Sequence, residues 1–504
     1  MQFQKWHFLL AVCATLVVSS IAQAKPLQVN SITPIAAQRI DSDEGNFPAG
    51  LLENGDRFGR SVISIGDLDQ DGVLDLAVGV RSDDDGGTDT GAVYILFMNA
   101  DLTVKSTSKI SATSGGLAAG LLDAGDFFGY SLASPGDLNN DGIQDLIIGA
   151  SNDDDGETDA GAFYNIFLDR TGAVQGAQKV SNTAGTITPA NLGTPLSSGD
   201  LFGQAASSIG DFNNDGLIDV AIGAPGDDDA AGALWFLSLR DNGTVAGRTK
   251  ISSPDLPAGT LDSGDGFGGR HVANIGDLDG DGIDEIAVGA FRDDDGGTDQ
   301  GALYVLFLNE DLSVRDSQKI SSLAGGFTGT ISDGDLFGMT VAPLGDVDGD
   351  GIPDIAVGSN RDDDGGENRG ALFFLLLNAD GTVKEEAKVS STENFGFDSL
   401  DLLDNERFGR ALGFVGDLSG DGTNVLAVGA GAGVDGGAIW LLQFETSSVL
   451  LGDCNLDGEV RFNDVPAFVT VLLSRSFLGQ ADCNQDGEVR FDDVPAFVDI
   501  LLGR

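Results

Sequence analysis

Five short stretches of this chain place oxygen-bearing side chains at alternate residues of an aspartate-glycine turn, in the pattern Asp-x-Asp/Asn-x-Asp-Gly-x-x-Asp. Alternate side chains of a backbone that is turning back on itself converge on one point, and glycine at position 6 permits the bend. Positions 1, 3, 5 and 9, with the carbonyl of position 7, then supply the roughly six to eight hard oxygen ligands that calcium takes. The first stretch offers Asp67, Asp69, Asp71, Asp75 and the Val73 carbonyl; the second Asp137, Asn139, Asp141, Asp145 and Ile143. The third offers Asp211, Asn213, Asp215, Asp219 and Leu217. The fourth has Asp277, Asp279, Asp281, Ile283 and a longer ninth ligand, Glu285; the fifth has Asp346, Asp348, Asp350, Ile352 and Asp354. In a sixth stretch Asp417 and Asp421 remain, but Ser419 and Val425 stand where ligands belong, so weak calcium binding or none is expected there. A plain Asp-Gly hairpin turn would account for one such loop without any ion. Five with matched spacing, and no basic residue inside them, are expected to be calcium sites. Magnesium suits them less, because it keeps its waters where calcium accepts an all-protein cage.

Two further loops lie near the C-terminus. Asp453, Asn455, Asp457, Glu459 and Asp464 return 29 residues later as Asp482, Asn484, Asp486, Glu488 and Asp493. Acidic or amide ligands at positions 1, 3, 5 and 12, with glycine at position 6, have the spacing of an EF-hand-type calcium loop. Each loop leads into a helical pattern, Val465, Phe468, Val469, Leu472 and then Val494, Phe497, Val498, Leu501, at i, i+3, i+4, i+7. Those two stripes are expected to pack on each other. Cys454 and Cys483 hold equivalent places in the two loops, and both a disulfide and two free buried thiols stay open.

A longer period positions the first five loops. Phe-Gly, with an acidic residue two places before Phe, recurs at Phe58, Phe128, Phe202, Phe267, Phe337 and Phe408. Each is followed by a Gly-Asp that opens the acidic turn, a short apolar run ending in glycine, a second acidic stretch, a Gly-Ala apolar run, and a last segment such as Lys109-Ile110-Ser111. That reads as four short strands per unit of about 70 residues with no helical period, the signature of propeller blades. Gln38-Arg39-Ile40 matches the last strand of a unit, while the sixth unit runs out after residues 439–444. The N-terminal strand is therefore expected to complete the sixth blade and latch the ring. The reading is an all-β, six-bladed propeller of four-stranded blades; a seven-bladed ring is the alternative and needs a blade the repeats do not supply.

The run Phe267-Gly268 … Gly276-Asp277-Leu278-Asp279-Gly280-Asp281-Gly282 … Gly289-Ala290 resembles the FG-GAP repeat of integrin α-chain propellers and their bacterial relatives. Gly223-Ala224-Pro225 spells the second half of that motif in full. The resemblance, over about residues 38–444, implies one calcium in the hairpin between the first and second strands of a blade, and service in adhesion or recognition. Residues 452–502 resemble a type I dockerin, which implies docking to a cohesin. Arg461 and Arg490 at position 9, and Phe462-Asn463 and Phe491-Asp492 after it, depart from the dockerin pattern, so attachment to a cell surface is the other role for this helical domain.

A second acidic series falls between the second and third strands, at residues 83–85, 153–155, 227–229, 293–295 and 362–364. With Asp56, Asp126, Asp200, Asp265 and Asp335 of the Asp-x-Phe-Gly connections, it is expected on the rim opposite the calcium loops. Together they would form a near-continuous acidic ring, either a solvated surface or a second set of cation or ligand sites.

The formal charge of -53 makes nucleic acid and anionic lipid poor partners. Hydrophobic residues at 41% in short recurring runs argue for a folded core rather than an acidic disordered chain. Residues 1–24 read as a cleaved secretory signal, with Lys5, an apolar run and Ala22-Gln23-Ala24; a membrane anchor is the alternative, and the run is short for a span. No later segment reads as a span. The expected divisions are 25–446 for the propeller and 451–504 for the paired loops, in a secreted or cell-surface protein with a protein or glycan ligand. No nucleophile elbow, phosphate loop or cysteine-histidine pair is present, and the one later histidine, His271, reads as structural. No enzymatic activity is expected; the alternative is a polysaccharide-active propeller, which requires a carboxylate pair in the axial channel.

Overall fold

The computed structural model describes residues 31–185, 195–256, 261–397, 400–431 and 436–446. The signal-type segment and the paired C-terminal loops lie outside the described residues. Strand β1 (Ile32–Ile40) precedes the first complete blade, which is a meander of β2 (Phe58–Gly66), β3 (Asp75–Val80), β4 (Ala92–Met98) and β5 (Val104–Ser111). Four more blades repeat it. The sixth supplies three strands, Ala411–Gly416, Asn424–Gly429 and Ile439–Thr446, and takes β1 as its fourth. Ile40 pairs with Ile439 and Ile32 with Thr446, antiparallel, so the latch expected at residues 38–40 is longer than the sequence suggested. Arg39 of β1 ion-pairs with Glu406, and the Trp440 indole donates to the same carboxylate at 3.2 Å. First strands of successive blades pack side by side, and Ala411–Gly416 returns against β2. The ring closes at six.

The strand sequences follow from their depth in a blade. β3 (DLAVGV) and β4 (AVYILFM) are buried at every residue, because neighbouring blades cover both faces. β5 (VKSTSKIS) is the outer strand and keeps polar residues exposed. The cores lie between blades: Val93 and Ile95 of one blade pack with Phe128, Ile148 and Tyr164 of the next. Phe128 is fully buried, with its ring edge-on to Tyr164 at 5.5 Å. Cutting such a ring back to alanine costs about 3–5 kcal/mol.

The glycine after Phe has a separate cause. Gly129 has φ +87°, and a Cβ on it would run into the Ala92 carbonyl of the preceding blade. A Cβ on Gly79, the glycine near the end of β3, would in turn meet the Gly129 carbonyl. The repeated glycines mark where the backbones of adjacent blades touch.

Candidate metal centres

The five acidic stretches all form the hairpin between the first and second strands of a blade, at one rim of the ring. In the first, Asp67 accepts backbone N–H groups of Asp71 and Gly72, each at 2.9 Å, and Asp71 accepts that of Val73 at 2.9 Å. The other four loops repeat these bonds from Asp137, Asp211, Asp277 and Asp346 to the glycine at position 6. Backbone donors thus hold both oxygens of the first acid of each loop and fix its orientation. Asp67, Asp69 and Asp71 bring carboxylate oxygens within 4.8 Å of one another, as do Asp277, Asp279 and Glu285, and Asp346, Asp348 and Asp354. In the second and third loops Asn139 and Asn213 accept the position 5 N–H, both at 2.9 Å, so the same turn forms around an amide. Val73, Ile143, Leu217, Ile283 and Ile352 hold the expected seventh position and donate their N–H groups to the fifth.

The ninth position differs from the rest in burial. Asp75, Asp145, Asp219, Glu285 and Asp354 are all buried at the root of the hairpin. Each accepts the N–H of the residue after position 1, at 2.7–3.1 Å. Burial pushes Asp75 and Asp145 up to about 6, Glu285 to about 7 and Asp354 to about 8, and the acids in front of them push the same way. Glu285 Oε1 is buried and accepts no hydrogen bond. A divalent cation at the mouth of these hairpins would relieve that repulsion and occupy that oxygen, so the residues fit calcium.

No basic residue lies inside the five loops, but three of them are met by one from the fourth strand of the same blade. Lys105 reaches Asp69 at 2.6 Å and Asp71 at 2.5 Å; Lys384 reaches Asp348 at 2.9 Å and Asp350 at 2.7 Å. Arg315 bridges Asp279 and Asp281 in the same way. Each of the three cations sits at a β-bulge in the fourth strand of its blade, and bulges re-aim side chains. Where position 3 is asparagine, the bulged residue is Gln175 or Ala246 instead. Counted over positions 1, 3, 5 and 9 with the bulged residue, each loop therefore carries a formal charge of -3, from four carboxylates with one cation or three with none; Asp284, at position 8 of the fourth loop, adds one more. The sixth loop keeps the turn, with Asp417 accepting from Asp421 and Gly422, but buries Val425 in the ninth place. Its bulge, between Pro34 and Ala36, presents the exposed Ile35.

On the opposite rim the near-continuous acidic ring is corrected. A lysine of each blade's own fourth strand clamps the triplet: Lys109 to Asp83 and Asp85 at 2.7 and 2.8 Å, Lys179 to Asp153 and Asp155 at 2.6 and 2.8 Å. Lys319 and Lys388 repeat this, and Lys250 holds Asp227 at 2.8 Å. Asp56, Asp126, Asp200, Asp265 and Asp335 are buried turn caps, each accepting the N–H three residues earlier at 2.6–2.8 Å. The lysine of Lys-Ile-Ser was visible in the sequence; only the fold shows what it holds.

The axial channel, about 250 Å³, is lined by first strands of all six blades, among them Ile63, Leu132, Ala206, Val272, Ala342 and Leu412. His271 lies there, driven down to about 4 by burial and by Arg60. No carboxylate is among the lining residues.

Residues 58–96, 128–166, 202–237, 268–306 and 337–375 match the family model of the FG-GAP repeat. Five of the six blades carry an FG-GAP repeat. Each matched segment runs from a first strand into a third and so contains one of the five candidate loops. The chain is 32% identical over 210 residues to integrin alpha-4 of Xenopus laevis, covering 41% of this chain and 17% of that protein. It is 30% identical over 241 residues to integrin alpha-5 of the same organism, covering 46% and 20%. It is 26% identical over 277 residues to integrin alpha-V of Gallus gallus, covering 54% and 23%. The FG-GAP propeller thus spans about a fifth of the length of these relatives. Among the described residues no helix is long and apolar enough to cross a membrane.

Proposed function

We propose that this FG-GAP propeller is a calcium-stabilised module of the cell exterior that binds a protein or glycan ligand. The observation that carries the reading is the set of five hairpins with the same ligand spacing and a buried ninth acid, three of which gather carboxylate oxygens within 4.8 Å of one another. Similarity to integrin alpha chains supports adhesion or recognition as the role and an extracellular place. The ions are structural on this reading: they replace carboxylate repulsion with shared ligation and fix each hairpin. The paired loops of residues 452–502 would bind two more calcium ions and attach the propeller to a cohesin or to the cell surface. The enzyme alternative calls for a pair of non-ligand carboxylates facing the channel, and the small and apolar side chains there support binding instead.

The test is a thermal melt in calcium and in EDTA. A site held at 100 times its Kd adds about 2.7 kcal/mol to stability, so several sites would raise Tm by many degrees. A melt that EDTA leaves unmoved would overturn the reading. Arrays of extracellular proteins and glycans, probed with and without calcium, identify the ligand.

A further inference from the structure

Every lysine among the described residues is in an ion pair with an aspartate. A group of arginines behaves oppositely. Arg270, Arg292, Arg361, Arg407 and Arg410 line one cavity of about 370 Å³ at the rim opposite the calcium loops, and none of them is in an ion pair among the described residues. They reach it from different blades: Arg407 and Arg410 flank Phe408, Arg270 follows Phe267-Gly268, and Arg292 and Arg361 follow second strands. Asp299 is the single carboxylate of the lining, and no ion pair joins it to them.

Aromatic rings account for part of the group. Arg60 lies over the Tyr130 ring at 3.8 Å, Arg270 donates to the Tyr130 hydroxyl, and Arg270 and Arg292 both lie over Phe291 at 5.2 Å. Among the described residues Arg361, Arg407 and Arg410 have neither a ring nor an acid. Arg410 is 6% exposed, and the one hydrogen bond of its guanidinium among the described residues is a long one, 3.4 Å, to the Gly431 carbonyl. A buried charge without a partner is unfavourable, and several of one sign in one cavity are more so. Burial first, then the neighbouring guanidiniums, draw Arg270 and Arg410 well below the usual arginine range. An arrangement of this kind is complete only with a negative group among the arginines.

We propose that this axial mouth binds the oxyanion of a ligand, a carboxylate, sulfate or phosphate, held by Arg361, Arg407 and Arg410 with Arg270 and Arg292 beside them. The planar guanidinium fork matches the paired oxygens of such groups. The rest of the chain sets the kind of ligand. With a formal charge of -53 the molecule repels polyanions, so the basin suits one acidic tip on an otherwise neutral or cationic ligand. This deepens the recognition reading by naming the chemistry the ligand presents, and it rests on that reading.

The experiment is calorimetric titration of the full calcium-loaded chain with sulfate, phosphate and acetate, with chloride balancing ionic strength. Saturable binding of about one oxyanion per chain is expected. Arg361→Gln and Arg407→Gln, both at solvent-reached positions, should each weaken it about tenfold, and Arg170→Gln, on a distant exposed arginine, should not. Unchanged calcium-dependent melts establish that the variants are folded. Absence of saturable binding over chloride, or binding indifferent to Arg361→Gln and Arg407→Gln, overturns the proposal. If an array ligand is captured but neither sulfate nor those variants reduce capture, the oxyanion site falls and the recognition reading stands. If the oxyanion binds and no extracellular ligand is found, the recognition reading falls instead.

Discussion

Lys105 and Asp69 lie 36 residues apart, and a bulge in β5 brings the ammonium to 2.6 Å from the carboxylate at the third position of the first candidate calcium loop. The cation touches the oxygens a metal would use and sets the loop's charge to that of its neighbours. Lys105→Gln should tighten calcium at one site, by about two- to fivefold given the worth of an exposed ion pair. Asp69→Asn should weaken that site, and the double variant, which copies the second blade, should restore it. Calcium titration of the four proteins checks this; a double variant that binds as weakly as Asp69→Asn alone would count against it.

Lys179 should behave differently from Lys105. It clamps Asp153, which is 1% exposed, and stands over the Tyr164 ring at 5.7 Å. Lys179→Met leaves that carboxylate buried without its cation. We expect a loss of about 2–4 kcal/mol, against less than about 1 kcal/mol for Lys105→Met in saturating calcium. Urea unfolding at fixed calcium measures both.

Asp126 gives a pH dependence with a definite sign. Burial, with Asp153 nearby, pushes its carboxyl from 3.8 up to about 7. Between those values the folded chain keeps a proton that the unfolded chain has released, so its contribution to stability falls as pH rises from about 4 to 7. Asp126→Asn retains an acceptor for the Asp123 N–H without the charge. The stability of wild type relative to Asp126→Asn should decline across that window and level off above it. A difference that is flat with pH would contradict the assignment.

Two glycines of one blade separate backbone strain from blade contact. Gly125 and Gly129 have φ of +94° and +87°, but a Cβ on Gly125 meets nothing within 4 Å, whereas one on Gly129 meets the Ala92 carbonyl. Gly125→Ala should cost about 1–2 kcal/mol from the left-handed backbone alone. Gly129→Ala should cost distinctly more, since a neighbouring blade must shift. Equal losses in urea unfolding would show that the contact gives way freely.

Much of this molecule could be read from spacing. Phe-Gly at six near-regularly spaced positions set the blade count, and Gln38-Arg39-Ile40 standing before the first unit disclosed the latch. The five acidic hairpins were legible because their aspartates, asparagines and glycine all fall within nine residues. What escaped were relations that cross strands or blades. Lys105 and Arg315 lie far along the chain from Asp69 and Asp279, and the bulge that aims them has no local sequence mark. The axial arginines come from three blades, between residues 270 and 410, so no short window contains them. Arg57, Arg60, Arg407 and Arg410, close on either side of Phe-Gly, were the one readable sign. The acidic triplets looked like a bare ring because each lysine that pairs with two of their acids sits two strands later.

The pairing of β1 with Ile439–Thr446 also dictates an order of events at the ribosome. A chain made from its N-terminus at about 5–20 residues per second leaves β1 without its partner for roughly 20–80 seconds, while five whole blades emerge after it. During that interval the nascent protein carries an unmated ribbon, and an unfinished copy could lend that ribbon to the open edge of another molecule. The ring is thereby a proof of full synthesis through residue 446: only a chain translated that far can hold its own beginning.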